Sequence, residues 1–159
     1  MNCTVKARLA CKAAVTAALL LALAGVAGGC GWGHSSRLGA AAAKESRRYL
    51  GVPYRPGGED PLGFDCSGLT YFVYHRLGLE LPRSAATQAA VGRKVRQNRL
   101  RAGDLVFFAT GPGREVTHVG IYLGGWKFIH APGQGKTVII SRLDSDYYAR
   151  KYHSARRVS

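Results

Sequence analysis

From Leu105 onward the chain is a series of short apolar runs broken by glycine- and proline-bearing turns, and its longer helix-like patterns all lie before that point. Helices first and an antiparallel meander afterwards is the signature of an α+β domain. In the first half, an Ala-rich amphipathic helix is predicted over 40–50. An irregular loop follows over 51–63, which holds Pro53, Pro56, Gly57, Gly58, Pro61 and Gly63. Asp65 then caps a helix over 66–77, with Leu69, Phe72, Val73 and Leu77 on one face and Gly78 as its stop. A short capped helix is predicted over 84–91, and a basic, turn-rich approach over 98–104. In the second half, strands are predicted over 105–108, 117–123, 126–130 and 137–141. A short helix or turn follows over 147–151, and a last edge strand over 156–158. The expected sheet has five to six strands, with the N-terminal helices packed on it.

The first 29 residues have the layout of an export signal. Lys6, Arg8 and Lys12 precede an uncharged run from Ala13 to Gly29. Cys30 closes that run after Ala27, Gly28 and Gly29, which resembles the bacterial lipobox although Ala27 stands where Leu is usual. Two other readings of the segment are cleavage after Ala27 and an uncleaved membrane anchor. On the lipobox reading, residues 30–39 are a lipid-anchored tether and 40–159 the folded domain. Gly31 is not the Asp associated with inner-membrane retention, so the outer membrane is favoured in a cell with two membranes. Losing residues 1–29 removes three cations and no acid, and the net charge falls from +14 to +11. Such a charge suits an anionic surface, whether wall polymer or lipid headgroup. Nucleic acid is not an expected partner, since no basic motif is interleaved with aromatics.

Four cysteines could make two disulfides, but Cys3 and Cys11 lie in the signal and Cys30 at its end. Cys66 is then the one thiol of the folded domain, and a lone thiol in an oxidising compartment is a candidate nucleophile. It falls in the first turn of a helix, where the helix dipole favours thiolate. Gly68 would let backbone or substrate come close, and unpaired amides of that turn could hold an oxyanion. Of the histidines, His34 is in the tether and His153 lies near the C-terminus. His75 stands roughly 13 Å from Cys66 along the same helix. His118 and His130 fall on the two strands of one hairpin around Gly124-Gly125, which would bring them level. One would serve the thiol and the other hold its ring. No Cys-x-x-Cys or His-Glu-x-x-His motif accompanies them, so neither a metal nor another cofactor is expected.

Four ordered motifs carry a family resemblance. They are Asp65-Cys66-Ser67-Gly68, Gly103 to Phe108, His118-Val119-Gly120-Ile121-Tyr122, and Phe128-Ile129-His130-Ala131. Gly51-Val52-Pro53-Tyr54 and Leu81-Pro82-Arg83-Ser84 add to them. Together the chain resembles the NlpC-type cell-wall cysteine peptidases over roughly residues 40 to 158. The resemblance implies a papain-like fold with permuted connectivity, acting as a monomer on peptide bonds of peptidoglycan stems or cross-links. It implies Cys66 as nucleophile, His118 as base and His130 as the third polar residue. It also points to Tyr54 as a substrate or oxyanion contact, although a loop aromatic packed on the core is an equal reading. Ser67 is a substrate donor or a capping-turn residue. The same residues could instead perform acyl transfer or cleave a non-wall amide, or belong to an inactive wall-binding lipoprotein.

Overall fold

The computed structural model describes residues 31–159, with side chains from Arg37 on. The predicted signal over 1–29 and the candidate lipid site Cys30 lie outside the described residues. His34–Ser159 forms one compact unit. The first helix, α1, runs Gly31–Ser46 and is followed by a 3-10 turn over Arg47–Tyr49. It starts earlier than the predicted 40–50 helix and takes in the segment expected to be a tether. A two-stranded antiparallel ribbon, β1 (Glu59–Asp60) and β2 (Gly63–Phe64), stands inside the segment expected to be irregular.

Helix α2 spans Cys66–His75, and the short α3 spans Ala85–Gln88. Asp65 caps α2 as predicted, its Oδ1 accepting from the Gly68 amide at 2.6 Å. Ser84 caps α3 in the same way, through the Thr87 amide.

Six antiparallel strands form the main sheet. They are β3 (Arg93–Lys94), β4 (Leu105–Phe108), β5 (His118–Gly124), β6 (Lys127–His130), β7 (Ile139–Arg142) and β8 (Tyr152–Arg157), in the order β3-β8-β4-β5-β6-β7. Helix α4 (Asp146–Lys151) leads from β7 into β8. The predicted edge strand over 156–158 is therefore corrected. Arg156 and Arg157 belong to β8, which begins at Tyr152, stops before Val158 and pairs with β3 on one side and β4 on the other. The edge is β3, whose exposed Arg93 and Lys94 look like loop in sequence but suit an edge, where charge discourages further pairing.

The sheet is apolar on both faces. Leu105, Phe107, Val119, Ile121 and Ile129 meet Leu69, Val73 and Tyr74 of α2 in one cluster. Val106, Phe108, Tyr122, Phe128, Leu143 and Ala155 form a second cluster on the other face, with Tyr148 of α4 packed against it. This two-sided burial explains why β4 reads as a continuous apolar run, since all four of its residues are buried. Beneath the turn before β4, Asp104 is 1% exposed and Arg157 donates to both its oxygens, at 2.6 and 2.7 Å.

Candidate active site

Cys66 begins α2 and is the free cysteine among the described residues. Its helix start is held by a dense polar knot. Arg83 donates to Asp65 Oδ1 at 3.0 Å and to Oδ2 at 2.7 Å. The same guanidinium reaches Ser67 Oγ at 3.1 Å and the Gly58 carbonyl at 3.2 Å. Ser67 Oγ in turn donates to Asp65 at 3.2 Å. The hydroxyl of Ser67 is thus engaged in the capping knot, although the residue also lines the cleft described below. Gly68 answers the expectation of close approach: a Cβ there would sit 1.9 Å from the Gly58 carbonyl oxygen.

The ionisation of Cys66 differs from the helix-dipole expectation. Burial pushes the thiol up, and the neighbouring Asp65 carboxylate pushes it further. The amides of Val119, Ser67 and Cys66 itself act the other way. Burial is the larger cause and the cap adds to it: the positive end of α2 already faces the Asp65 carboxylate, so the sulfur does not receive the full benefit of that pole. The influence of the Val119 amide places the sulfur by the backbone of β5, at the residue that follows His118 in the chain.

His118 and His130 are both buried, at 7% and 0% exposure. His118 Nε2 and His130 Nδ1 are 2.7 Å apart. Burial lowers His118 to about 4. Burial lowers His130 to about 3, with help from the charges of His118 and Lys136. The two rings share a face of the β5–β6 hairpin but are not level. A register shift between Tyr122 and Gly124 pairs Tyr122 with Phe128, and continuing that register puts Gly120 opposite His130. His118 therefore meets His130 diagonally, one same-face position away, a distance that rings span. Gly120 makes this possible, because a Cβ there would fall 3.2 Å from His130 Cβ and 2.8 Å from the Ile129 oxygen.

Two residues that the sequence did not single out complete the row. Ser141 Oγ on β7 lies 2.9 Å from His130 Nε2, and the Tyr148 hydroxyl on α4 lies 3.4 Å from the same nitrogen. Tyr148 packs edge-on against the rings of Phe108, Phe128 and His130. Neither residue type at its spacing carries a chemical signature, and both reach His130 only through the tertiary fold.

An open cleft of about 530 Å³ lies over the thiol. Tyr54, Cys66, Ser67, Arg83, Ser84 and Thr117 contribute to its walls. Tyr54 lines the cleft while its ring packs on the main core cluster, and its phenol is raised by burial and by the charges of Cys66 and Asp65. The set offers a sulfur nucleophile, a neutral imidazole held by a second imidazole, and free amides of a helix first turn. Such a set can add a thiol to a carbonyl, shuttle its proton and steady the resulting oxyanion.

The model of the NlpC/P60 family matches residues 51–157. The chain is 46% identical over 112 residues to the murein DD-endopeptidase MepS/murein LD-carboxypeptidase of Escherichia coli K12, covering 69% of this chain and 57% of that protein. It is 44% identical over 116 residues to the gamma-DL-glutamyl hydrolase of Bacillus subtilis 168, covering 72% of this chain but 28% of the relative. The chain thus spans less than two thirds of the length of these relatives. Among solved structures, the NlpC/p60 domain of the peptidoglycan hydrolase SagA superposes with a TM-score of 0.66 at 36% identity, covering 76% of this chain and 98% of that one. With the family model covering the cleft, the capped helix and the whole six-stranded sheet, the chain belongs to the NlpC/P60 family.

Proposed function

We propose that this protein is an exported cysteine endopeptidase that hydrolyses peptide bonds of peptidoglycan. One observation carries the reading: a helix-start thiol stands beside the strand whose buried His118 is hydrogen-bonded to His130 at 2.7 Å, within an NlpC/P60 domain. The relatives named as a murein endopeptidase and a glutamyl hydrolase support the substrate class. The acyl-transfer and binding-only alternatives draw no support from the site.

In this mechanism the resting pair is neutral. Burial holds the thiol protonated and the imidazole unprotonated, so proton transfer accompanies attack rather than preceding it. Nε2 of His118 is engaged with His130, which leaves Nδ1 for the thiol. As the sulfur–carbon bond forms, the thiol proton passes to His118 Nδ1 and the carbonyl electrons move onto oxygen. Amides of the α2 first turn hold that oxyanion, with the Tyr54 hydroxyl beside them. On collapse the carbon–nitrogen bond breaks and His118 protonates the departing amine. Water then gives a proton to His118 and adds to the thioester. The second collapse releases a carboxylic acid and returns the proton to Cys66.

The signal-like segment and Cys30 support delivery across the inner membrane and retention by an N-terminal lipid, with the outer membrane favoured where there are two. There the domain would act as a monomer, its basic surface facing the anionic wall. The deciding experiment is digestion of purified sacculi. Cys66→Ala is expected to abolish release of soluble muropeptides while circular dichroism stays native, and product masses identify the bond. Undiminished release by that variant would overturn the assignment.

A further inference from the structure

The hydrogen-bonded row does not stop at the two histidines. Ser141 Oγ lies 2.9 Å from His130 Nε2, and the Tyr148 hydroxyl lies 3.4 Å away. Both hydroxyls thus converge on one imidazole nitrogen, and the Ser141 hydroxyl acts to lower the Tyr148 phenol. His118, His130 and Ser141 sit on the neighbouring strands β5, β6 and β7, so the row crosses three strands and ends at α4.

Such a row admits two complete arrangements of hydrogens. In the first, His118 carries its proton on Nε2 and donates to His130 Nδ1. His130 carries its own on Nε2 and donates to Ser141 Oγ, and Ser141 donates to the Tyr148 oxygen. The bare Nδ1 of His118 can then accept the thiol proton. In the second, every hydrogen points the other way. Tyr148 or Ser141 donates to His130 Nε2, His130 donates from Nδ1 to His118 Nε2, and His118 Nδ1 already holds a proton. That state cannot act as a base toward a protonated thiol.

A carboxylate at the far end would settle the choice, because it can only accept. Here the third group is an imidazole, whose tautomer is set by what lies behind it. A serine hydroxyl can accept from His130 and still satisfy its own hydrogen on Tyr148. A phenol alone is a better donor than acceptor and pulls the row toward the idle arrangement.

We propose that Ser141 is a positioning residue, its hydroxyl fixing the His130 tautomer and through it that of His118, so that Nδ1 stays free to take the Cys66 proton. Tyr148 receives the serine hydrogen and, with Phe128, holds the His130 ring in place. The inference rests on reading Cys66 as nucleophile and His118 as base.

The test combines kinetics on a soluble muropeptide with imidazole nitrogen chemical shifts. Ser141→Ala is expected to lower kcat by about 10- to 100-fold at unchanged KM. This is less than the roughly 10⁴-fold loss seen when the group holding a triad imidazole is itself changed, because Ser141 acts one ring further out. Ser141→Thr, which keeps the hydroxyl, restores the rate. Adding Tyr148→Phe to Ser141→Ala removes the competing donor and regains part of the lost rate, whereas a packing role would make the double variant worse. In the wild-type protein both His118 and His130 show protonated Nε2. A protonated His130 Nδ1 in the wild type, or an unchanged kcat in Ser141→Ala, overturns the proposal. The nitrogen shifts remain readable in Cys66→Ala, so failure of the tautomer assignment is distinguishable from failure of the nucleophile assignment.

Discussion

Gly68→Ala sets two physical effects against each other. Gly68 lies in the first turns of α2 with an ordinary helical neighbourhood, so helix propensity alone predicts a gain of about 0.5–1 kcal/mol for alanine. Packing predicts the reverse. The new Cβ would stand 1.9 Å from the Gly58 carbonyl oxygen. Even weak C–H···O contacts sit at about 3.3–3.6 Å, so the two groups must part by about 1.5 Å. The obstacle is backbone rather than a flexible side chain. Moving it strains the Asp65 amide bond to Gly58 at 2.9 Å and the Arg83 bond to the same oxygen at 3.2 Å. A neutral hydrogen bond contributes about 1 kcal/mol and a charged one about 1.5–3. After subtracting the propensity gain, a net loss of about 2 kcal/mol remains, or roughly 8 °C in Tm for a domain of this size. Because the displaced loop carries Gly57 and packs beside Tyr54 and Cys66 in the cleft, muropeptide release should fall with it. Urea and thermal unfolding of the purified variant provide the measurement. A variant as stable as the wild type would refute the reasoning, since propensity would then have outweighed the contact.

The buried histidines predict a pH dependence of stability. Unfolded histidine titrates near 6.5, whereas His118 is held at about 4 and His130 at about 3, so the unfolded chain binds more protons in acid. Their contribution is complete above about pH 6.5 and is lost as pH falls toward the folded values, amounting to about 2 kcal/mol per histidine by pH 5. Urea midpoints at pH 7 and pH 5 should show this loss, and equal midpoints would contradict it. Tyr54→Phe keeps the ring on the core but removes the hydroxyl near the thiol. It is expected to leave Tm unchanged and lower kcat by about 100-fold, the scale of one lost oxyanion donor, and an unchanged kcat would assign Tyr54 to packing.

The parts of this molecule written in local signals could be anticipated from the chain. Asp65 before an apolar helical face, Gly78 after it and a glycine turn between two strands make the capped helix and the histidine hairpin legible, although the turn falls at Gly125-Trp126, one residue beyond the expected Gly124-Gly125. What escaped was set by non-local pairing. Nothing near residues 152–157 announces insertion between β3 and β4, because strand order depends on which edge is free when the segment arrives. The β1–β2 ribbon is two residues per strand and offers no periodicity to detect. The histidines are expected side by side, yet the Tyr122–Phe128 register sets Gly120 rather than His118 opposite His130, so they meet one same-face position apart. The acidity of Cys66 escapes for a similar reason. The capping carboxylate is legible in the chain, but the burial that raises the thiol most is a product of the tertiary fold. Ser141 and Tyr148 are ordinary residues until β7 and α4 bring them to one imidazole.

The interior position of β8 makes the domain all-or-none in time as well as in space. Among the described residues strand β3 pairs with β8 alone, and β4 remains an open edge until Tyr152–Arg157 docks against it. The Asp104 carboxylate likewise waits, buried-to-be and uncompensated, for Arg157. A ribosome must therefore deliver the chain through Arg157 before the sheet can close, and such long-range pairing is intrinsically slow to form. A domain arranged this way has a built-in delay: the sheet that carries the histidine row closes only after its last strand has been made.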